Sequence, residues 1–482
     1  MKSFYKLFFT SSIILVCGLI SYSQPALGAL ISNVEIKGIW QGTLKFNGGA
    51  LRVVFRISVN ENGYLKAEMD SPDQGVKGLH VDTVIFDGSN LKLEVNIISA
   101  YYEGKYNPDS ISFDGNWHQS GLNVPLGIKK IDKVEEIKRP QEPKLPFPYK
   151  VEDIIYDNKT AGIKLGGILT MPESGGPFPA VILISGSGPN NRNEELSGHK
   201  PFLVLADYLT CRGIAVLRVD KRGIGESTGN FAASTTKDFS TDVLAGIEYL
   251  KNRKEINANN IGLIGHSEGG IIAPIVASET NEVAFIVLMA GPGLPGDELL
   301  CLQSEALAKA EGYPAERIKE STEINKKMYN AIKAGGDSVK IAEELKKIYY
   351  DHYNSLDEKE KSEIRNPKAV FEGELKSIMS PWFRYFISYD PTPALEKVKC
   401  PVLALNGSKD LQVLPNENLT VIKKALEKGG NKNFEIKELP GLNHLFQTAE
   451  TGSPAEYIKI EETISPTALQ TISDWILKVT KK

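Results

Sequence analysis

The chain has 482 residues, 41% of them hydrophobic and 24% charged, with a formal net charge of -4 and six histidines. That is an ordinary globular balance, long enough for two or three domains with sizeable cores. The slight acidity, without any Lys/Arg cluster interleaved with aromatics, excludes a nucleic-acid binder and leaves small molecules as the expected partners.

At the N-terminus Lys2 and Lys6 precede an apolar run from Leu7 to Ile20, followed by small residues that offer cleavage after Ser23 or Gly28. Residues 1–28 therefore read as a signal peptide, and the mature protein is expected to be exported, to the periplasm or outside the cell. The run is shorter than the ~20 residues that span a bilayer, so no stable membrane span is expected after cleavage. Bulky Val16 argues against a lipidated Cys17. The remaining Cys211, Cys301 and Cys400 have no paired spacing, so they read as buried or partly buried thiols with at most one bridge among them.

Residues 31–138 alternate apolar and polar side chains, as in Leu51, Val53, Phe55, Ile57 and Val59 and again in Leu91, Leu93, Val95 and Ile97. Turns at Asn47-Gly48, Asn62-Gly63, Asp87-Gly88 and Asp114-Gly115 make this a small antiparallel domain, a barrel or a sandwich. Trp40, Tyr102, Tyr106, Phe113 and Trp117 read as its core, with a sugar- or lipid-binding surface as the alternative. Residues 139–149, rich in proline, read as a stiff connector.

From residue 150 to 482 the pattern changes to strands alternating with helices, the mark of a mostly parallel sheet flanked by helices. A hairpin over Asp153–Met171 precedes strands at Ala180–Ile184, Ile214–Val219, Ile261–Ile264, Ala284–Met289, Pro401–Leu405 and Phe434–Glu438. The interval between Met289 and Pro401, about 110 residues, is far longer than a crossover needs. Its Glu, Lys, Ala and Leu recur at helical spacing over Leu299–Ala310, Ala315–Lys333 and Val339–His352, so a helical cap is expected at about 295–390. In it, Trp382, Phe383 and Phe386 share one helical face and are candidates for an acyl pocket, or for packing between cap and sheet.

Gly265-His266-Ser267-Glu268-Gly269 lies between the apolar runs Ile261–Ile264 and Ile271–Ala273. A serine hydroxyl needs a base to become nucleophilic and a sharp strand-to-helix turn to project it, and this context supplies the turn. In such an arrangement an acid follows the nucleophile and a histidine follows the acid. Only His352 and His444 come after Ser267, and His352 falls in the charged insert, so His444 is the expected base. Asp410, just past the strand ending at Leu405, is the expected acid. Its competitors place less well: Glu417 begins a helix, Glu438 lies in a strand and Asp390 precedes Pro391. An oxyanion would be held by two backbone N–H groups, that of Glu268 and that of Ser187 in Ser185-Gly186-Ser187-Gly188, with Gly188 as the near alternative.

These segments resemble the α/β-hydrolase family, in particular bacterial carboxylesterases grouped with serine aminopeptidase-like hydrolases. The resemblance runs from about Val151 to the C-terminus, through Ser185–Gly188, Asp220-Lys221-Arg222-Gly223-Ile224-Gly225-Glu226-Ser227, Gly265–Gly270, Gly407–Asp410 and Asn443-His444. It implies an α/β-hydrolase fold with a helical cap, behind the small antiparallel β domain that similar two-domain bacterial esterases carry. It also implies a loop at Asp220–Ser227 that braces the site without being catalytic. Where relatives have His-Gly at the oxyanion loop, this chain has Ser185-Gly186. The expected activity is hydrolysis of small or medium acyl esters through an acyl-enzyme on Ser267, His444 and Asp410, with no metal or cofactor. Aminopeptidase, amidase, thioesterase or acyltransferase chemistry on the same residues is the alternative. A reading of another class makes the N-terminal domain an envelope glycan or lipid binder.

Overall fold

Alternation in the N-terminal part becomes a single antiparallel sheet. The computed structural model describes residues 36–481 except 47–48, 75, 120–121, 136–137 and 365; the signal peptide, Cys17 and the Asn47-Gly48 turn lie outside the described residues. The strands are β1 (Gly38–Phe46), β2 (Gly49–Val59), β3 (Leu65–Ser71), β4 (Val76–Val81), β5 (Thr83–Phe86), β6 (Asn90–Val95), β7 (Ala100–Asn107), β8 (Ser112–Gln119) and β9 (Leu122–Ile131), in the order β4-β3-β2-β1-β9-β8-β7-β6-β5. Pairing of β1 with β9 puts the first and last strands at the centre of the sheet. The ends curl toward each other, β5 nearing β3 and β4 nearing β6, so the sheet is nearly a barrel.

Inside it Trp40, Phe55, Tyr102, Phe113 and Trp117 are all at most 3% exposed, while Tyr106 packs at the edge of the same cluster. Trp40 meets Phe113 edge-on at 4.9 Å. The aromatics are core, each contributing on the order of 1.5–3 kcal/mol by leaving water. Gly63 and Gly88 do sit in turns with positive φ. Asp114-Gly115 does not: it lies inside β8, where a Cβ on Gly115 would stand 2.1 Å from the Glu103 carbonyl oxygen. That glycine serves close strand approach, not a turn.

Two compact units divide the chain, Met1–Lys138 with Leu196–Gly198 and Asp357–Pro367 in one, and Arg139–Glu195, His199–Leu356 and Lys368–Lys482 in the other. The proline-rich stretch belongs to the second unit rather than spanning free. Arg139 donates to the Ile460 and Ile458 carbonyls at 2.7 and 3.0 Å, and the Gln141 amide donates to the Ile464 carbonyl at 2.6 Å. Prolines limit its backbone entropy, and these bonds fasten it down.

The second unit holds an eight-stranded sheet of β10 (Tyr149–Asn158), β11 (Ile163–Pro172), β12 (Phe178–Ile184), β13 (Ala215–Val219), β14 (Ile256–His266), β15 (Phe285–Met289), β16 (Val402–Gly407) and β17 (Phe434–Leu439), ordered β10-β11-β13-β12-β14-β15-β16-β17. Only β11 runs against the rest, pairing antiparallel with both β10 and β13; from β13 to β17 neighbours are parallel. The central strands are continuously apolar because helices cover both faces. One face packs against α2 (Thr236–Lys251), α3 (Gly269–Glu279) and α11 (Pro415–Lys428), the other against α1 (Pro201–Thr210) and α13 (Pro466–Thr480).

The long insert between β15 and β16 is helical: α4 (Gly296–Ala310), α5 (Ala315–Lys333), α6 (Ser338–Ser355), α7 (Glu358–Glu363), α8 (Pro367–Ile378) and α9 (Pro381–Ser388), before the short α10 (Thr392–Leu395). A further short turn, α12 (Pro454–Tyr457), precedes α13. Of the thiols, Cys301 is buried and Cys400 half-buried, but Cys211, the residue that caps the C-terminus of α1, is exposed.

Candidate active site

Ser267 stands between the end of β14 and the start of α3 with φ at 52°, in the left-handed region that non-glycine residues enter only under constraint. The constraint is visible on both sides. A Cβ on Gly265 would lie 2.0 Å from the Gly269 carbonyl oxygen, and one on Gly269 would lie 2.0 Å from that of Ile184. Strand, turn and helix can therefore close this tightly only with glycine at both positions. Ser267 N–H is tied to the Met289 carbonyl at 2.9 Å, so the turn is also anchored to the neighbouring strand.

Asp410 and His444, 34 residues apart in sequence, meet directly: His444 Nδ1 lies 2.8 Å from Asp410 Oδ2, with both side chains buried. The other carboxylate oxygen accepts the backbone N–H groups of Gln412 and Val413 at 2.8 and 2.9 Å, which fixes the acid's orientation. Gly407 lets the two loops touch, since a Cβ there would sit 2.2 Å from the Leu442 carbonyl oxygen. The turn carrying His444 is built around Asn443, whose side-chain oxygen accepts from Leu445 and Gln447 N–H at 3.0 Å each. With Nδ1–H given to Asp410, His444 keeps Nε2 as the nitrogen with a free lone pair.

His266, next to the serine, ties these parts together. Its Nε2 is 3.0 Å from the His444 carbonyl oxygen, its Nδ1 3.0 Å from Glu194 Oε1, and its ring centroid 4.9 Å from that of His444. Burial pushes the His266 imidazole toward its neutral form, but the Glu194 carboxylate and the His444 carbonyl outweigh it, and its pKa is raised. A carbonyl and a carboxylate as its two partners favour a ring that donates from both nitrogens. Glu194 Oε1 also accepts the Gly186 N–H at 2.5 Å. Neither Glu194 nor His266 was singled out by sequence reasoning; the position of His266 directly before the serine was the available signal, whereas Glu194 carries none.

The loop after β12 carries Ser187 on the other side of the serine: a Cβ on Gly186 would lie 3.1 Å from Ser267 Cβ. Among the described residues the backbone N–H groups of Ser187 and Glu268 have no protein acceptor. The Glu268 side chain turns away into the protein, 1% exposed, accepting from Thr236 Oγ1 and Trp382 Nε1 at 2.7 Å each and pairing with Lys221 Nζ at 3.2 Å. The Asp220–Ser227 segment is a brace: Arg192 and the Glu226 N–H converge on the Asp220 carboxylate, and Ser227 Oγ donates to the Asp220 carbonyl. Although burial opposes it, the Arg192 guanidinium and these N–H donors hold the Asp220 pKa below its usual value.

The three cap aromatics do not share one environment. Trp382 is half-buried, bonded to Glu268 and stacked on Phe386 at 5.1 Å, and Phe386 joins Ile271, Ile275, Leu299 and Val413. Phe383, 1% exposed, faces Tyr329 of α5 at 6.0 Å and is packing within the cap. The competing acids are committed elsewhere: Asp390 accepts the Thr392 N–H at 2.9 Å in the turn before α10, Glu417 sits in the first turn of α11 and Glu438 lies in β17. His352 is on α6, 3.7 Å from Glu320. Among the described residues no group of three or more His, Cys, Asp or Glu could hold a metal ion, and no helix is long and apolar enough to cross a membrane.

Residues 199–337 match the family model described as Hydrolase_4, serine aminopeptidase, S33. The strand order, the elbow between β14 and α3 and that match agree. The chain has the α/β-hydrolase fold. Among curated proteins it is 27% identical over 394 residues to "Esterase EstD" of Thermotoga maritima, covering 79% of this chain and 81% of that protein. It is also 23% identical over 272 residues to an uncharacterized 31.7 kDa protein of Escherichia coli, 55% of this chain and 84% of the relative. Similar solved structures include Est1E from Butyrivibrio proteoclasticus with ferulic acid, at 17% identity and TM-score 0.39 over 68% of this chain and all of that one. Another is the Pyrococcus furiosus esterase Pf2001, at 16% identity and TM-score 0.41 over 72% and 98%.

Proposed function

We propose that this protein, with its α/β-hydrolase fold, is a serine carboxylesterase working through an acyl-enzyme. The observation that carries the reading is the buried His444–Asp410 pair, reached through His266 from the strained turn that presents Ser267. His444 Nε2 takes the Ser267 Oγ proton as the oxygen attacks the ester carbonyl carbon. The resulting oxyanion is held by the N–H groups of Ser187 and Glu268. Collapse breaks the acyl–alkoxy bond, and His444 returns the proton to the leaving alcohol. Water, deprotonated by the same nitrogen, then attacks the acyl-enzyme and releases the carboxylic acid and Ser267. Asp410 holds the tautomer and balances the imidazolium charge without accepting the proton.

The esterase named among the relatives supports ester over amide substrates, and small or medium acyl chains remain the proposed class. Export to the periplasm or beyond is proposed from Lys2, Lys6 and the apolar run that follows them. The test is a graded series of p-nitrophenyl acyl esters beside aminoacyl p-nitroanilides, with Ser267→Ala as the blank. Serine-dependent ester cleavage with inert anilides supports the reading; preferential anilide cleavage replaces it with the aminopeptidase reading that the matched family's description suggests.

A further inference from the structure

Gly186 is gripped on both of its polar atoms. Its N–H goes to Glu194 Oε1 at 2.5 Å, and its carbonyl oxygen receives Lys221 Nζ at 2.6 Å and Asn190 Nδ2 at 2.8 Å. Two side-chain donors on one carbonyl, one of them a buried ammonium, fix the plane of the Gly186–Ser187 peptide. That peptide is trans, so its N–H, which belongs to Ser187, points opposite to the carbonyl that Lys221 holds.

We infer that Lys221 is a positioning residue for the oxyanion hole: by holding and polarising the Gly186 carbonyl it keeps the Ser187 N–H aimed at the site where the oxyanion forms. The inference rests on the assignment of Ser187 in the proposed function. Lys221 lies over the Phe239 ring at 4.6 Å with its side chain 7% exposed, so its head has little water to share its charge with. Burying an ammonium is costly unless it is bonded and paired. Here the partners are the Gly186 carbonyl and, at 3.2 Å, the carboxylate of Glu268, whose own backbone N–H is the other proposed donor. One cation thus bonds the peptide that carries one proposed donor and the side chain of the residue that carries the other. A charge-assisted bond to a carbonyl oxygen in a low-dielectric setting also draws density from the amide and strengthens its N–H as a donor.

The experiment compares Lys221→Met and Lys221→Arg with the unaltered protein in ester turnover and in inhibition by an arylboronic acid, whose serine adduct is a tetrahedral anion. Removal of a whole oxyanion donor costs about 100- to 1,000-fold in kcat, so loosening one is expected to cost about 10- to 100-fold, with KM little changed. Boronate affinity should fall with kcat, and arginine should restore part of both. Far-UV circular dichroism and Tm establish folding. If Lys221→Met does not fold, Asn190→Ala removes the second donor to the same carbonyl, and a kcat loss of about 3- to 10-fold at constant KM is the expected result. A folded Lys221→Met enzyme with kcat within twofold of normal, or with lowered kcat but unchanged boronate affinity, overturns the inference while Ser267→Ala stays inactive. Turnover retained by Ser267→Ala overturns the underlying reading instead.

Discussion

Replacing Asp410 with asparagine changes one atom at the centre of the site and reverses a hydrogen bond. The two backbone N–H groups of Gln412 and Val413 point at Asp410 Oδ1 and demand an acceptor there. Asparagine meets that demand with its amide oxygen, which leaves its NH2 facing His444 Nδ1, 2.8 Å away in the native pair. Nδ1 must then accept, the ring proton moves to Nε2, and the nitrogen needed to deprotonate Ser267 is occupied. Flipping the amide would instead strand two buried donors, at about 1–3 kcal/mol each. By analogy with the serine protease case, where the equivalent change costs about 10,000-fold in kcat, a similar loss is expected, equivalent to about 5 kcal/mol of transition-state stabilisation. The assay is kcat for a p-nitrophenyl ester from pH 6 to 10, with Tm as the control for folding. A folded Asp410→Asn protein within tenfold of normal kcat at neutral pH would refute the assignment of the acid.

Other consequences follow from the same contacts. Gly269→Ala places a methyl group 2.0 Å from the Ile184 carbonyl oxygen, so the elbow must move; Tm should drop measurably and ester turnover collapse, and an unchanged Tm would contradict the packing described. His266 has a folded-state pKa raised by Glu194 and the His444 carbonyl against the opposing effect of burial, so its contribution to stability is complete below the unfolded-state pKa and is lost as pH rises through the folded one. His266→Asn should therefore lower Tm more at pH 5.5 than at pH 9, and equal losses would argue against a protonated ring. A thiol reagent should modify exposed Cys211 quickly and Cys301 only on unfolding, read by mass spectrometry of the labelled peptides. Burial pushes the Cys301 thiol up to about 11, which further slows its reaction, and early labelling there would contradict its placement.

The segments that sequence made legible are those where one periodicity dominates. Apolar runs such as Ile261–Ile264 and Val402–Leu405 became central parallel strands, buried on both faces. The helices at Ala315–Lys333 and Val339–His352 followed their spacing closely. Asp410 and His444 could be paired from order along the chain because an α/β sheet places strand ends on one edge. What stayed hidden depended on contacts without local signature. Asp114-Gly115 looks like a turn, and only the approach of β7 shows that Gly115 belongs in a strand. The proline-rich segment looks like a spacer until its bonds to the 458–464 loop are seen. Glu194 lies in a loop with no motif, yet its carboxylate joins the Ser187 loop to His266. Phe383 shares a helix face with Trp382 by spacing, but α5 claims it for the cap interior.

The central claim is that Ser267 is the atom donor that forms the acyl-enzyme. Treating the full-length protein with an aryl fluorophosphonate and mapping the adduct by peptide mass spectrometry tests it most directly. One adduct, on the peptide holding Ser267, with ester turnover lost in step with labelling and no adduct in Ser267→Ala, is the expected result. Labelling at another residue, or a fully labelled Ser267 with turnover intact, would contradict the account.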